Sequence, residues 1–340
     1  MNNNNKMPAT ITSIAHFVPD TIYDNKYFES YLDTSDDWIM SRTGIRERHI
    51  MKEGATSDMI VPAAKEAMAK KGYGVDDIDC VIVATVTPDH MFPSTAAVVQ
   101  NKLGLTNAWG YDISAACSGF IFSLLTAAKL VESGAAKRVL LCGADKMSSI
   151  VDYEDRATCV LFGDAASVCI IEQSDEPGLG IMDSITRIDG AGGKYLKQIA
   201  GGSFKPASHQ TVDAKEHFIF QDGQAVFKAA VKGMADISVE IMERNNLTSD
   251  NIRWLVPHQA NLRIISATAD RMGLSPEKVM INIDRYGNTT SATIPMCLSE
   301  WYENGQIEKG DNLILSTFGA GFTWGTIYLK WSLDKQSNSK

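Results

Sequence analysis

The sequence predicts an α/β protein built from one unit used twice, and three observations carry that expectation. Short apolar runs of strand type (DCVIVATV at 79–86, RVLLCGA at 138–144, RWLVP at 253–257) alternate with longer stretches of helical period. Landmarks also recur at a near-constant distance. Strands open at Val81 and Arg253, 172 positions apart; strand–turn–helix elbows hold Cys117 and Asn288, 171 apart; the next strands open at Arg138 and Asn312, 174 apart. Finally, 340 residues with 44% hydrophobic and 21% charged side chains are enough for two such units, each with its own core. The halves are expected at 1–180 and 181–331, with 332–340 a disordered tail. Strands separated by helices are read as mostly parallel, with helices on both sheet faces.

Taken in order, the first strand is expected near Ala9 to Ala15 and short helices over Asn25 to Leu32 and Ser35 to Arg42, the second capped by Thr34 or Ser35. Ser57 to Lys71 and Ser94 to Leu103 read as helices stopped by Gly72 and Gly104. Then comes YDISAACSGF: a short strand, a turn of small residues, and a helix to about Ser133 with Phe120, Leu124, Ala127, Ala128 and Val131 on one face. Strands follow over Arg138 to Ala144 and Val168 to Glu172. Ile188 to His217 is Gly-rich and lacks a period, which predicts a disordered stretch or a functional lid. Its GAGGK piece lacks the first glycine of a P-loop. Helices are expected over Gln224 to Asn245, Asn261 to Met272 and from Asn288 to about Asn304. Strands are expected over Arg253 to Pro257, Val279 to Ile283, Asn312 to Thr317 and Thr326 to Trp331.

Composition narrows the function classes. A net charge of −9 argues against wholesale nucleic-acid binding. The six cysteines show no CxxC pair and no His at ligand spacing, so a metal site is not expected and reduced thiols are. MNNNNKMPAT has no apolar signal core, and no run approaches the roughly 18 apolar residues of a membrane span. A cytoplasmic protein without membrane segments is expected.

Three residues carry chemistry. Cys117 falls at a helix N-terminus, where free N–H groups and the helix dipole favour a thiolate, so a lowered pKa and a nucleophilic sulfur are expected. A buried structural cysteine is the bland alternative. His258 follows RWLVP directly, and Asn288 sits in RYGNTTS at the second elbow. Each is an ordinary loop residue when taken alone, but ligands gather at the carboxyl ends of strands in α/β proteins. Cys117 can exchange thioester for thioester. His258 and Asn288 can donate to a second thioester carbonyl and stabilise the enolate left when a malonyl group loses CO2. No carboxylate is needed, because decarboxylation generates the carbanion without proton abstraction. FGAGF at 318–322 offers a backbone N–H, that of Ala320, to pair with the Cys117 N–H around the first thioester oxygen.

AACSGF, VPHQANLRI and YGNTTSATIP resemble the motifs of the β-ketoacyl-acyl carrier protein synthase III family, thiolase-superfamily condensing enzymes. TSDDWIMSRTGIRERH, HMFPSTA, DRATCVLFGDAAS and FGAGFTWG also fit, so the resemblance spans about Ile11 to Lys330. It implies a duplicated, thiolase-like five-layered αβαβα fold, a homodimer, an acyl-CoA primer (acetyl in particular) and malonyl-acyl carrier protein as extender, with no cofactor beyond the coenzyme A thioester. It implies Cys117, His258 and Asn288 as catalytic residues. It places coenzyme A on Trp38, Arg42, Arg156 and Asn261. The acyl pocket falls to Phe92 (reaching across the dimer), Met147 and Phe227, and carrier docking to Gln259, Ala260, Asn261, Leu262 and Arg263, aided by Lys228 and Arg271. Ile188 to His217, Asp270 and Asp164 to Val168 depart from the family pattern, which leaves open a paralogue with another primer in secondary metabolism. Other rivals are a thiolase, a hydroxymethylglutaryl-CoA synthase type, a papain-like Cys–His–Asn hydrolase and a carrier-binding scaffold.

Overall fold

The computed structural model describes residues 7–336. In chain order the elements are β1 (Ala9–Phe17), β2 (Ile22–Asp24), α1 (Asn25–Glu29), α2 (Asp36–Thr43), β3 (Glu47–His49), α3 (Thr56–Lys71), β4 (Cys80–Ala84), α4 (Thr95–Leu103), β5 (Trp109–Ile113), α5 (Gly119–Ser133) and β6 (Val139–Asp145). They continue with β7 (Ala165–Gln173), β8 (Gly180–Ile188), β9 (Leu196–Gln198), α6 (His209–Asp213), β10 (Ile219–Gln221), α7 (Gly223–Arg244) and β11 (Trp254–Pro257). The last are α8 (Leu262–Met272), α9 (Ile283–Tyr286), α10 (Thr293–Glu303), β12 (Asn312–Gly319) and β13 (Thr323–Lys330). Helix ends follow local chemistry. Ser94 accepts from the Ala97 N–H, Asp222 from Ala225 and Asn261 from Arg263, while Gly72, Gly104, Gly134 and Gly273 close helices in the left-handed conformation.

Two sheets form the frame, ordered β1-β7-β6-β4-β5 and β8-β13-β12-β11. α5 and α10 lie between them; α3 and α4 cover the outer face of the first, α7 and α8 that of the second. The result is the five-layered αβαβα arrangement of the thiolase type. β4 is buried along its whole length because helices cover both its faces. The sheets are mixed rather than mostly parallel: β4 runs parallel to β5 and β6, and β11 to β12, whereas β7 and β13 return antiparallel. Apolar runs alone do not reveal strand direction, which explains the difference.

The repeat is closer than the sequence suggested, and its register shifts at the elbows. β4 and β11 begin at Cys80 and Trp254, and α5 and α10 at Gly119 and Thr293, each 174 apart. Ala116 and Thr290, also 174 apart, both take positive φ (46° and 51°) and open 3₁₀ turns at Ala116–Ser118 and Thr290–Ala292. The counterpart of Cys117 is therefore Ser291, not Asn288. Only the backbone reveals this, since Cys117 and Ser291 share no surrounding motif.

Four further expectations change. Ile188 to His217 is ordered: β9 pairs with β10, and α6 is capped by Ser208. Val279 to Ile283 is not a strand but a 3₁₀ turn (Pro276–Lys278), one isolated bridge from Val279 to Leu255, and α9. The tail is described to Gln336 and docks: Ser332 shares a 2.6 Å hydroxyl bond with Thr10, Leu333 packs on the core, and Lys335 pairs with Glu308. Residues 337–340, like the Asn-rich start, lie outside the described residues. Finally, Ala116–Ser133 is an 18-residue helical stretch long and apolar enough to span a membrane by composition, yet it is the core helix between the two sheets.

The halves meet closely. A Cβ on Gly143, in β6, would lie 2.6 Å from the Ser291 carbonyl oxygen of the second elbow. Gly143→Ala should therefore overpack this junction, costing about 1–3 kcal/mol. Thermal unfolding should show a clearly lowered midpoint; an unchanged midpoint would mean the halves are not pressed together here.

Candidate active site

The first elbow presents Cys117. Thr317 Oγ1 donates to the Cys117 carbonyl at 2.9 Å and Ser118 Oγ to the Thr323 carbonyl at 3.0 Å, pinning the turn to β12 and β13. A Cβ on Gly319 would stand 2.9 Å from the Cys117 nitrogen, so only glycine leaves that N–H clear. His258 leaves β11 with its N–H on the Ser316 carbonyl at 2.8 Å, and its Nδ1 is 2.7 Å from Thr293 Oγ1. The ring is 1% exposed, and Nε2 has no hydrogen-bond partner. Asn288 is held by backbone bonds to Leu161 and Gly163, and its Oδ1 accepts the Thr290 N–H at 2.9 Å. That leaves its amide nitrogen free to face the cavity it shares with the Cys117 sulfur.

All three line one cavity of about 220 Å³ between the halves. Ala320 lines it too, beside Cys117. So do Met147 and Phe227, as the expected acyl-pocket residues, along with Val86, Leu161 and Phe162. The wall is completed by β9 (Leu196, Gln198), from the stretch whose sequence showed no period, and by its partner β10 (Ile219, Gln221), just beyond that stretch. Among the described residues no Asp or Glu lines the cavity. Among the described residues no group of His, Cys, Asp and Glu is placed to hold a metal ion.

The electrostatics correct one expectation. Burial pushes the Cys117 thiol up to about 12, and the nearby Asp145 adds to this; the Asn288 side chain and the residue's own backbone N–H act the other way. The free sulfur is a thiol, because desolvation outweighs the helix terminus. Burial also lowers His258 to about 3, so the imidazole is neutral at any pH near 7. Asp145, at the end of β6, is the missed residue. Its Oδ1 accepts from Thr85 Oγ1, Thr87 Oγ1 and the Val86 and Thr87 N–H groups. Its Oδ2 accepts from Thr290 Oγ1, Ser291 Oγ (2.9 Å) and the Ser291 N–H (3.4 Å). Burial raises its pKa. A lone acid ending the apolar strand VLLCGAD was the sequence signal for it.

The remaining expected positions lie at the rim or outside. The guanidinium carbons of Arg42 and Arg156 each sit 4.8 Å from the Trp38 ring centroid. Arg156 also donates to the Asp33 carbonyl at 2.5 Å, so a purine entering between it and Trp38 must displace it. Asn261 lines the cavity and donates to the Arg42 carbonyl at 2.7 Å, which joins this cluster to the rim. Ala260 also lines the cavity, Leu262 packs under Gly44, and exposed Arg263 lies 4.7 Å over the Phe227 ring. Gln259 does not fit carrier docking. It is 1% exposed, and its amide is spent on Pro257, Met280, Asn282 and Ile283. Phe92 does not line the cavity; it is 87% exposed, beside Met91 and just ahead of α4, whose Thr95 and Ala96 N–H groups bond Asp112 of the edge strand β5. Arg271 is tied 3.9 Å from Asp236, while Lys228 is exposed.

Comparison with known proteins gives one family. Residues 111–190 match the model described as 3-oxoacyl-[acyl-carrier-protein] synthase III, and residues 242–331 match its C-terminal model. A β-ketoacyl-[acyl-carrier-protein] synthase III from Chlorobaculum tepidum is 54% identical over 96% of this chain and 100% of its own. The crystal structure of the corresponding Thermus thermophilus synthase superposes with a TM-score of 0.88 at 41% identity, covering 95% of this chain and 99% of that one. The priming β-ketosynthase of the R1128 polyketide pathway superposes at 0.89 with 31% identity, covering 99% of each.

A thiol held near 12 has a pH signature. Thiolate grows about tenfold per pH unit below the pKa, so alkylation of Cys117 by iodoacetamide should rise steadily from pH 7 to 10 without a plateau. Peptide mass spectrometry of timed reactions reads the rate; a plateau below pH 8 would show a thiolate at rest.

Proposed function

This chain belongs to the 3-oxoacyl-[acyl-carrier-protein] synthase III family, and on that premise we propose that it condenses a short acyl-CoA, acetyl-CoA in particular, with malonyl-acyl carrier protein. The products are 3-oxoacyl-acyl carrier protein, CoA and CO2, and the reaction initiates fatty acid synthesis. The observation that carries the reading is Cys117, His258 and Asn288 on one largely apolar wall with no carboxylate among them.

Acylation comes first. Cys117 Sγ attacks the thioester carbon, the oxyanion rests on the N–H groups of Cys117 and Ala320, and CoA leaves as its thiol. The malonyl group then loses CO2, and the enolate oxygen is held by Asn288 Nδ2–H and His258. Its carbon attacks the acyl group on Cys117, and the sulfur is released. The absence of a lining carboxylate fits a carbanion made without a general base, and disfavours a hydroxymethylglutaryl-type enzyme. The second cysteine a thiolase needs is also missing from the wall: Cys297 is fully buried in α10, bonded to Asn282.

Trp38, Arg42 and Arg156 hold the nucleotide end of CoA, and Asn261 its approach to the cavity. Arg263 and Lys228 meet the acidic carrier. The open edge of β5, with Trp109, Met91 and Phe92 exposed, fits pairing with a second copy, which would place Phe92 at the partner's acyl pocket. The chemistry uses no cofactor beyond the CoA thioester, and the cytoplasm is the compartment of these partners.

Incubation with acetyl-CoA should add one acetyl group to the Cys117 peptide, and malonyl-acyl carrier protein should then release CO2 and remove that group. Cys117→Ala should abolish both while keeping the thermal midpoint. Primers of eight carbons or more should be poor, since overfilling such a cavity costs about 1–3 kcal/mol. An acetyl group on Cys142 or Cys159, or a profile peaking at octanoyl, would contradict the reading.

A further inference from the structure

We propose that Thr293 is a positioning residue for His258: its hydroxyl lets the imidazole present a bare Nε2 to one half-reaction and an Nε2–H to the other. The inference rests on the condensing reaction proposed above.

Thr293 opens α10, and its Oγ1 stands between two groups, 2.7 Å from His258 Nδ1 and 3.0 Å from the Thr290 carbonyl oxygen. The hydroxyl has a single hydrogen and the carbonyl accepts only, so two arrangements satisfy the pair. In the first, Nδ1–H donates to Oγ1, Oγ1–H donates to Thr290, and Nε2 carries a lone pair. In the second, Oγ1–H donates to Nδ1 and Nε2 carries the proton. The Thr290 carbonyl keeps the Thr293 backbone N–H in either case, so neither arrangement strands it. The first makes one more hydrogen bond and is the form of the free site. A carboxylate or carbonyl beside Nδ1 would hold the first tautomer, and a backbone N–H the second; a hydroxyl holds neither exclusively.

Nε2 is buried, has no partner in the protein, and belongs to a residue that lines the cavity with Cys117. The two half-reactions ask opposite things of it. In acylation the Cys117 thiol proton must leave as the sulfur–carbon bond forms. A bare Nε2 accepts it, and the resulting imidazolium returns it to the CoA sulfur as the CoA–acyl bond breaks. In decarboxylation the C–CO2 bond breaks, its electron pair becomes an enolate, and an Nε2–H beside Asn288 stabilises the oxygen. The tautomer change between the steps exchanges one proton with water, and Thr293 follows it by rotating its hydroxyl.

Nitrogen-15 NMR of histidine-labelled enzyme, with the His258 signals assigned by difference against His258→Gln, tests the resting form. The Nδ1–H pattern is expected, and an Nε2–H pattern would overturn the inference. Kinetics test the role. Thr293→Val should slow both acetyl transfer to Cys117 and CO2 release by about tenfold or more with the KM for acetyl-CoA little changed, whereas Thr293→Ser should restore both to within about twofold. Wild-type rates in Thr293→Val, or a serine variant as slow as the valine one, would also overturn it. If the wild-type enzyme took no acetyl group at all, the reaction proposed above would fail, while the NMR would still report whether Thr293 sets the tautomer.

Discussion

The structure depends on one asymmetry between its two halves, at the last residue of β6 and at the corresponding last residue of β12. Asp145 and Gly319 stand 174 apart, the spacing that relates the two elbows. In one half the Asp145 carboxylate reaches across and caps the Ser291 N–H, Ser291 Oγ and Thr290 Oγ1. In the other a glycine stands at the corresponding place and leaves the Cys117 N–H open to the cavity. A duplicated unit has two potential oxyanion sites. One is filled by a buried internal carboxyl group ringed by donors, and the other stays free for a transient anion.

That arrangement ties stability to chemistry. A fully buried carboxylate is tolerable only because it is ringed by donors. Those donors come from the loop after β4 and from the second elbow, so Asp145 ties Thr290 and Ser291 to the first half. The same charge helps hold Cys117 as a thiol, which turns attention from the helix dipole to whatever removes the proton. A neutral His258 with a free Nε2 is the group suited to that task in a cavity without carboxylates.

Much of this was legible in the sequence. The repeat, the strand–turn–helix around Cys117 and the apolar strands followed from periodicity, and the three chemical residues followed from strand ends. The register of the elbows did not, because positive φ at Ala116 and Thr290 leaves no trace in side-chain type. The cavity wall from β9 and β10 was hidden for a similar reason: three-residue strands are too short to show a period. Strand direction in β7 and β13 was equally silent. The lowered pKa expected of Cys117 came from weighing a helix terminus against water, whereas the sulfur is weighed against a buried wall and Asp145. Gln259 looked like a docking residue through its neighbours in the motif, but its side chain serves to pin α9 and the chain before it.

The most direct measurement of this asymmetry is the acetylation rate of Gly319→Ala. A Cβ there would stand 2.9 Å from the Cys117 nitrogen and 3.0 Å from that of Ser118, closing the open site as Asp145 closes the other. Losing one oxyanion donor typically costs about a hundred- to a thousandfold in rate. The expected result is a fall of that order in acetyl transfer from acetyl-CoA, in a protein whose melting curve shows it still folded. Acetylation at the wild-type rate in the folded variant would contradict the claim that Gly319 keeps the Cys117 N–H open for the reaction.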